Sequence, residues 1–285
     1  MGWRACSIQA VWSVWALAAS LMSATVGAQE RITLPSLDTA RGGPVELPGF
    51  WFPVAATNAP AVVLLHGCGG PYGRAGRLSE HMVEYAKWLN AQGLHALVPD
   101  SLTPRGEREL CTQPTGTRKV TQANRRLDAL AAIAWLAQRP EVDPQRIGLM
   151  GWSNGGSTVL AALNTRRAAV APVQPAFAVA FYPGCEAELK RGFETNTRLL
   201  MLVGELDDWT PAAACQALAR AAGAGITPEI ETYANAHHGF DSTAPLRLRR
   251  DVPNGVNPGQ GVHVGGEPAA RVAARERVAR FLSSP

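Results

Sequence analysis

Neither sign of charge dominates this sequence: 27 lysines and arginines stand against 23 acids in 285 residues, a formal net charge of +4. So small and scattered an excess argues against a nucleic-acid partner. After residue 28 no run is long and apolar enough to span a bilayer. No two cysteines stand at CxxC spacing and no histidine repeats at ligand spacing beside them, so no metal site is expected. Internal repeats and linkers are also missing after the first 28 residues, which points to one domain over 29–285.

Those first 28 residues differ from the rest. Arg4 precedes the apolar stretch "VWSVWALAASLMSATV", no acid occurs, and Val26 and Ala28 occupy the small-residue positions that a signal peptidase reads. The pattern predicts a signal peptide cleaved after Ala28 and a periplasmic or secreted chain without stable membrane association. The remaining charge is 26 minus 23, or +3. An uncleaved anchor is the alternative, opposed by the shortness of the run and by Ser13, Ser20 and Ser23 within it. Of five cysteines, Cys6 falls in this segment, leaving Cys68, Cys111, Cys185 and Cys215 in a compartment where disulfides persist. Three pairings are open. Cys68 with Cys111 and Cys185 with Cys215 close the shorter loops and would each add roughly 3 to 4 kcal/mol.

Short apolar runs alternate with longer amphipathic ones, the pattern of a mostly parallel sheet covered by helices on both faces, an α/β fold. Strands are expected at 61–67, 94–100, 146–152, 176–184, 199–205 and 227–236. Helices are expected at 78–93 and 118–140, after Ser153, at 208–223 and at 267–282. The stretch 241–267, rich in Gly, Pro and Asn and bearing Arg247, Arg249 and Arg250, reads as one long irregular loop.

"IGLMGWSNGGS" (147–157) sets Ser153 between a buried-looking strand and a helical pattern, with Gly151 and Gly155 two positions away on either side. A side chain on so sharp a turn requires neighbours without a Cβ, which is the logic of a nucleophile elbow. A serine hydroxyl needs an imidazole to take its proton, and the imidazole needs a carboxylate to fix its tautomer. In the strand-turn-helix setting the order should be serine, acid, histidine. Asp207 follows one strand, in competition with Glu205 and Asp208, and "HHGF" follows the next, where His237 and His238 are not separable by spacing. The oxyanion of acyl transfer needs two backbone N–H donors. Asn154 offers one, and "HGCGG" (66–70) offers the other at Cys68 or Gly69. A disulfide at Cys68 would hold that loop still. His66 reads as an orienting hydrogen-bonder, Trp152 and Trp209 as either pocket lining or packing, and Arg105 as either a contact for an anionic substrate or a solvated loop residue.

The motifs "LLHGCGG", "MGWSNGG", "YPGC", "VGELDDWTPAAAC" and "AHHGF", in this order, resemble the dienelactone hydrolase family of the α/β-hydrolase fold over about residues 41–283. The resemblance implies a cofactor-free hydrolase acting on a small-molecule ester or lactone, with Ser153, Asp207 and His238 as its catalytic residues. The family's acid stands three residues after a glycine, as Asp207 does after Gly204, and its histidine directly precedes Gly-Phe, as His238 does. Founding members use cysteine where this chain has Ser153, and an arginine for the substrate carboxylate where it has "DSTAPL". A general carboxylic-ester hydrolase working through an acyl-enzyme is therefore the expectation. The alternatives are an oligopeptidase-like serine peptidase, a class that normally adds a gating domain for which this length leaves no room, and a catalytically silent relative that binds a ligand.

Overall fold

The computed structural model describes residues 1–2, 29–39, 42–168, 173–221, 223 and 225–284. The expected signal peptide thus lies outside the described residues, apart from Met1 and Gly2. The elements in chain order are β1 (Glu30–Pro35), β2 (Glu46–Phe52), β3 (Ala59–Leu65), α1 (Glu80–Asn90), β4 (His95–Pro99), α2 (Gln122–Ala137), β5 (Val142–Trp152), α3 (Asn154–Leu163), β6 (Phe177–Phe181), α4 (Glu186–Arg191), β7 (Arg198–Gly204), α5 (Ala212–Arg220), β8 (Glu229–Tyr233), β9 (Arg247–Arg249), β10 (Val262–Val264) and α6 (Pro268–Ser283).

Eight strands form one sheet in the order β1-β2-β4-β3-β5-β6-β7-β8. The pairs from β4 through β8 are parallel; β1 and β2 join antiparallel at one edge. A parallel strand is buried on both faces, so its apolar residues divide by the two-residue period. In β5, Ile147 and Leu149 enter one core and Met150 and Trp152 the other; β7 splits Leu199, Met201 and Val203 from Leu200 and Leu202 in the same way. The first core takes Ile133 of α2, Leu160 of α3 and Leu218 of α5, and the second takes Leu89 of α1 and Phe281 of α6. Each fully buried side chain of this size contributes about 1.5–3 kcal/mol before chain entropy is counted.

The helices begin where local chemistry satisfies their free N–H groups. Ser79 Oγ accepts the Met82 N–H at 3.3 Å ahead of α1, and Thr121 and Asn124 form a capping box ahead of α2, so α2 starts four residues later than expected. Pro211 is the cap residue of α5, which likewise leaves 208–210 free as a turn. The stretch 241–267 is not structureless: β9 and β10 pair antiparallel within it, with Val262 opposite Arg249, and His238 bridges Val264. The edge strands β1 and β2 and the short α4 had no counterpart among the expected elements. Four of the six residues of "ERITLP" are exposed, and β2 carries Pro48 and Gly49, which weaken its strand signal.

Candidate active site

Ser153, Asp207 and His238 follow the C-terminal ends of β5, β7 and β8, where an open parallel sheet leaves its crevice. Ser153 has φ 53° and ψ −116°, a conformation that L residues rarely adopt. The elbow tolerates it because the strand and α3 approach without side chains between them. A Cβ on Gly151 would overlap the Gly155 carbonyl, and one on Gly155 would overlap the Leu65 carbonyl at the end of β3. The glycine spacing around Ser153 is therefore a packing requirement.

His238 stands between the other two, with Nε2 2.8 Å from Ser153 Oγ and Nδ1 2.8 Å from Asp207 Oδ2. A carboxylate only accepts, so Nδ1 carries the proton and Nε2 is left to accept from the hydroxyl. Asp207 is buried, and its Oδ1 accepts the backbone N–H groups of Trp209 (2.9 Å) and Thr210 (2.8 Å). Thr210 Oγ1 lies 3.0 Å from Asp207 Oδ2 and 3.1 Å from His238 Nδ1, a contact the sequence did not suggest. Glu205 is exposed, while Asp208 accepts from His263 (Nδ1 to Oδ2, 2.7 Å). His237 stacks obliquely on His263 with ring centres 5.2 Å apart.

Cys68, Ser153 and Asn154 border one cavity of about 530 Å³, walled further by Thr115 and Arg118 of the loop before α2, by Trp209, and by Asn254 and Val256. The two loops meet at the cavity, for Thr115 N and Oγ1 both donate to Asn254 Oδ1 at 3.0 Å and both residues line it. Cys68 is bonded to Cys111 with Cα atoms 5.0 Å apart, and the Leu110 N–H donates to the Cys68 carbonyl at 2.7 Å. Cys185 is bonded to Cys215, Cα atoms 5.1 Å apart, tying the start of α4 to α5. Loop closures of this length constrain the unfolded chain by about 4 kcal/mol each.

Two buried polar groups support these elements. Arg125 of α2 donates through Nη2 to the His66 carbonyl at 2.7 Å and through Nη1 to Asn154 Oδ1, joining the "HGCGG" loop to the first residue of α3. Burial brings its guanidinium down to about 10, so holding a charge there costs stability. On the other side, Asp241 has no exposure and accepts four side-chain hydrogen bonds: from His81 Nε2 (2.9 Å), Tyr85 OH (2.8 Å) and Trp152 Nε1 (2.9 Å) at Oδ2, and from Tyr182 OH (2.6 Å) at Oδ1. Burial alone would raise its carboxyl, but the His81 ring and the donors around it hold it down to about 2. Burial, then the Asp241 charge, push the Tyr85 and Tyr182 phenols well above their usual value, so both remain donors. The Tyr182 ring rests 4.7 Å from that of His238.

Three expectations need correction or refinement. Arg105 is neither a substrate contact nor solvated: it is buried in ion pairs with Asp38 (2.7 Å) and Asp128 (2.9 Å). Trp152 packs, stacked 5.5 Å from Phe181 with its indole on Asp241, whereas Trp209 lines the cavity with its ring 4.6 Å from that of His238. His66 is an orienting group, with Nδ1 2.8 Å from the Gly67 carbonyl and Nε2 accepting from Ser101 N–H at 3.4 Å. Burial first and Arg125 second lower its pKa well below the ordinary imidazole range, so it stays neutral.

The dienelactone hydrolase family pattern matches residues 49–283. This chain belongs to the dienelactone hydrolase family. Solved structures agree on the fold. A Klebsiella pneumoniae subsp. pneumoniae protein named for dienelactone hydrolase superposes with a TM-score of 0.64 at 17% identity, over 91% of this chain and 100% of that one. A dienelactone hydrolase-like promiscuous phosphotriesterase from metagenomic libraries gives 0.62 at 22% identity, over 90% and 98%. A thermophilic esterase of Thermogutta terrifontis, bound to propionate, gives 0.57 at 18% identity, over 90% and 96%. No curated protein matches by sequence. Membership of this hydrolase family implies a small-molecule substrate, and the two disulfides are compatible with an extracellular location. No helix among the described residues is long and apolar enough to cross a membrane.

Proposed function

We propose that this dienelactone hydrolase family member is an exported serine hydrolase that cleaves carboxylic esters or lactones through an acyl-enzyme. One observation carries the reading: a single imidazole, His238, is hydrogen-bonded at 2.8 Å both to the Asp207 carboxylate and to Ser153 Oγ, and Ser153 borders a cavity of about 530 Å³. His238 Nε2 accepts the hydroxyl proton as Ser153 Oγ attacks the acyl carbon, and Asp207 holds the tautomer and stabilises the imidazolium. The N–H groups of Asn154 and of Cys68 or its neighbour Gly69 receive the oxyanion. His238 then returns the proton to the departing alkoxide, and water activated by the same imidazole releases the acid. Export of the chain 29–285 as a single domain, after cleavage following Ala28, is part of the proposal. It is supported by the signal-like first 28 residues and by four cysteines all engaged in disulfides.

A series of p-nitrophenyl esters of increasing acyl length tests the function. The wild-type protein is expected to turn over at least the short members, and Ser153→Ala to lose roughly 10⁴-fold or more in kcat while remaining folded by circular dichroism. Absence of turnover with every ester and lactone offered would favour a protein that only binds a ligand.

A further inference from the structure

Beside the acid and the base, three residues with no role in that chemistry converge from three separate segments: Asp208 in the turn after β7, His237 in the loop after β8, and His263 on β10. One donor atom from each lies within 4.8 Å of the other two, and all three side chains are partly open to solvent. We propose that these residues form a binding site for one divalent first-row cation, Zn²⁺ being the best match to two imidazole nitrogens and one carboxylate oxygen.

The local geometry favours ligation over a simple ion pair. Asp208 Oδ1 accepts the backbone N–H of His263 at 2.8 Å, and this bond turns the other oxygen, Oδ2, to within 2.7 Å of His263 Nδ1. An oriented carboxylate beside an imidazole nitrogen is a half-built site, with the backbone supplying the outer support that metal-binding carboxylates require. His237 supplies the third element, for its Nδ1 is buried and has no hydrogen-bond partner among the described residues. A donor atom left unsatisfied in that way costs free energy that a cation would recover. Tetrahedral coordination at about 2.0–2.1 Å needs donors roughly 3.4 Å apart, so donors lying up to 4.8 Å apart must approach by as much as about 1.4 Å while the Asp208–His263 pair, at 2.7 Å, opens slightly. Water completes the fourth position on the exposed side. No spacing signal marks this site, because its three residues are distant along the chain and meet only through the fold.

Such a cation would act as a clamp on the site rather than as a participant in it. Asp208 directly follows Asp207 and its carbonyl accepts the Val256 N–H at 2.8 Å; His237 directly precedes His238; and Val264, next to His263, bridges His238. Binding would fasten the β9–β10 hairpin, which carries one wall of the cavity between its strands, to the loops of the acid and the base. The inference does not depend on the proposed hydrolysis.

The test is calorimetric titration of Zn²⁺ into untagged, chelator-treated protein, read together with thermal unfolding. One equivalent per chain with a Kd of about 10 μM or tighter is expected. At a hundredfold excess over Kd the melting temperature should rise by roughly 5 °C or more. His263→Gln, at a partly exposed position, and the near-isosteric Asp208→Asn should each weaken binding at least tenfold, with unchanged circular dichroism. Ser153→Ala should bind as the wild type does, which separates this site from the serine chemistry. Binding weaker than 10 μM, or binding that survives the double variant His237→Gln/His263→Gln within twofold, overturns the proposal and leaves Asp208 and His263 as an ordinary ion pair.

Discussion

Arg125 stands behind the loop that would receive an oxyanion, and its hydrogen bonds go to neutral oxygens, the His66 carbonyl and Asn154 Oδ1. Asp241 stands behind the histidine that would become an imidazolium, and it accepts four hydrogen bonds from side chains. The cation is therefore sparsely satisfied and its pKa falls, while the anion is generously satisfied and its pKa falls too, one through the cost of burial and the other through compensation for it. The difference separates two uses of buried charge. Asp241 knits α1, β5, the turn after β6 and the histidine loop into a single support, and should matter most to stability. Arg125 spans the two segments proposed to receive the oxyanion, at an energetic cost, and should matter most to turnover.

The largest expected effect breaks the anionic side. Asp241→Asn sets an amide N–H group among four donors and should lower stability by about 3–5 kcal/mol in urea unfolding. Stability within about 1 kcal/mol of wild type would show that the four donors do not act together. Next, Arg125→Met, which keeps volume and removes charge, should lower kcat by about 100-fold, or ~2.7 kcal/mol, with stability changed by no more than about 1 kcal/mol. A Met variant that unfolds while its residual activity per folded molecule is normal would reverse the assignment of the two regions.

Acid titration sharpens the comparison. The folded carboxyl of Asp241 is held to about 2 against an ordinary value of 3.8, so its contribution is fully present above about pH 4 and is lost as pH falls toward 2. The gap amounts to about 2 kcal/mol. Asp241→Asn should lack that acid-limb loss, whereas Arg125→Met should retain it; parallel stability curves for all three proteins between pH 4 and pH 2 would count against the assignment. The smallest effect is expected at Thr210, which belongs to neither region. Thr210→Val removes the hydroxyl beside Asp207 and His238 and should lower kcat about fivefold, near 1 kcal/mol, measured with the best ester of the series.

The parts of this site that could be read from the sequence are those that stand at strand ends. Ser153 announces itself because its turn excludes side chains on both flanks, and the parallel strands because they are buried on both faces. The residue pattern alone left Asp207 beside Glu205 and Asp208, and His237 beside His238; only the family likeness chose between them. Arg125 and Arg105 were illegible for a physical reason: helical and loop patterns assign charged residues to water, and nothing local shows that acceptors lie buried opposite them. Asp241 stands three residues after His238, yet its donors come from residues 81, 85, 152 and 182, which only the folded chain assembles. The antiparallel edge carries little signal because four of the six residues of β1 are exposed and its apolar pattern is weak.

All of this chemistry requires one hydroxyl to be far more nucleophilic than the other serines of the chain. The most direct measurement is labelling of the native protein with a fluorophosphonate, followed by intact-mass and peptide mapping. A single adduct on Ser153, lost in Ser153→Ala and greatly slowed in His238→Ala with folding intact, is the predicted result. An unlabelled native protein, or an adduct that persists on another residue in Ser153→Ala, would contradict it.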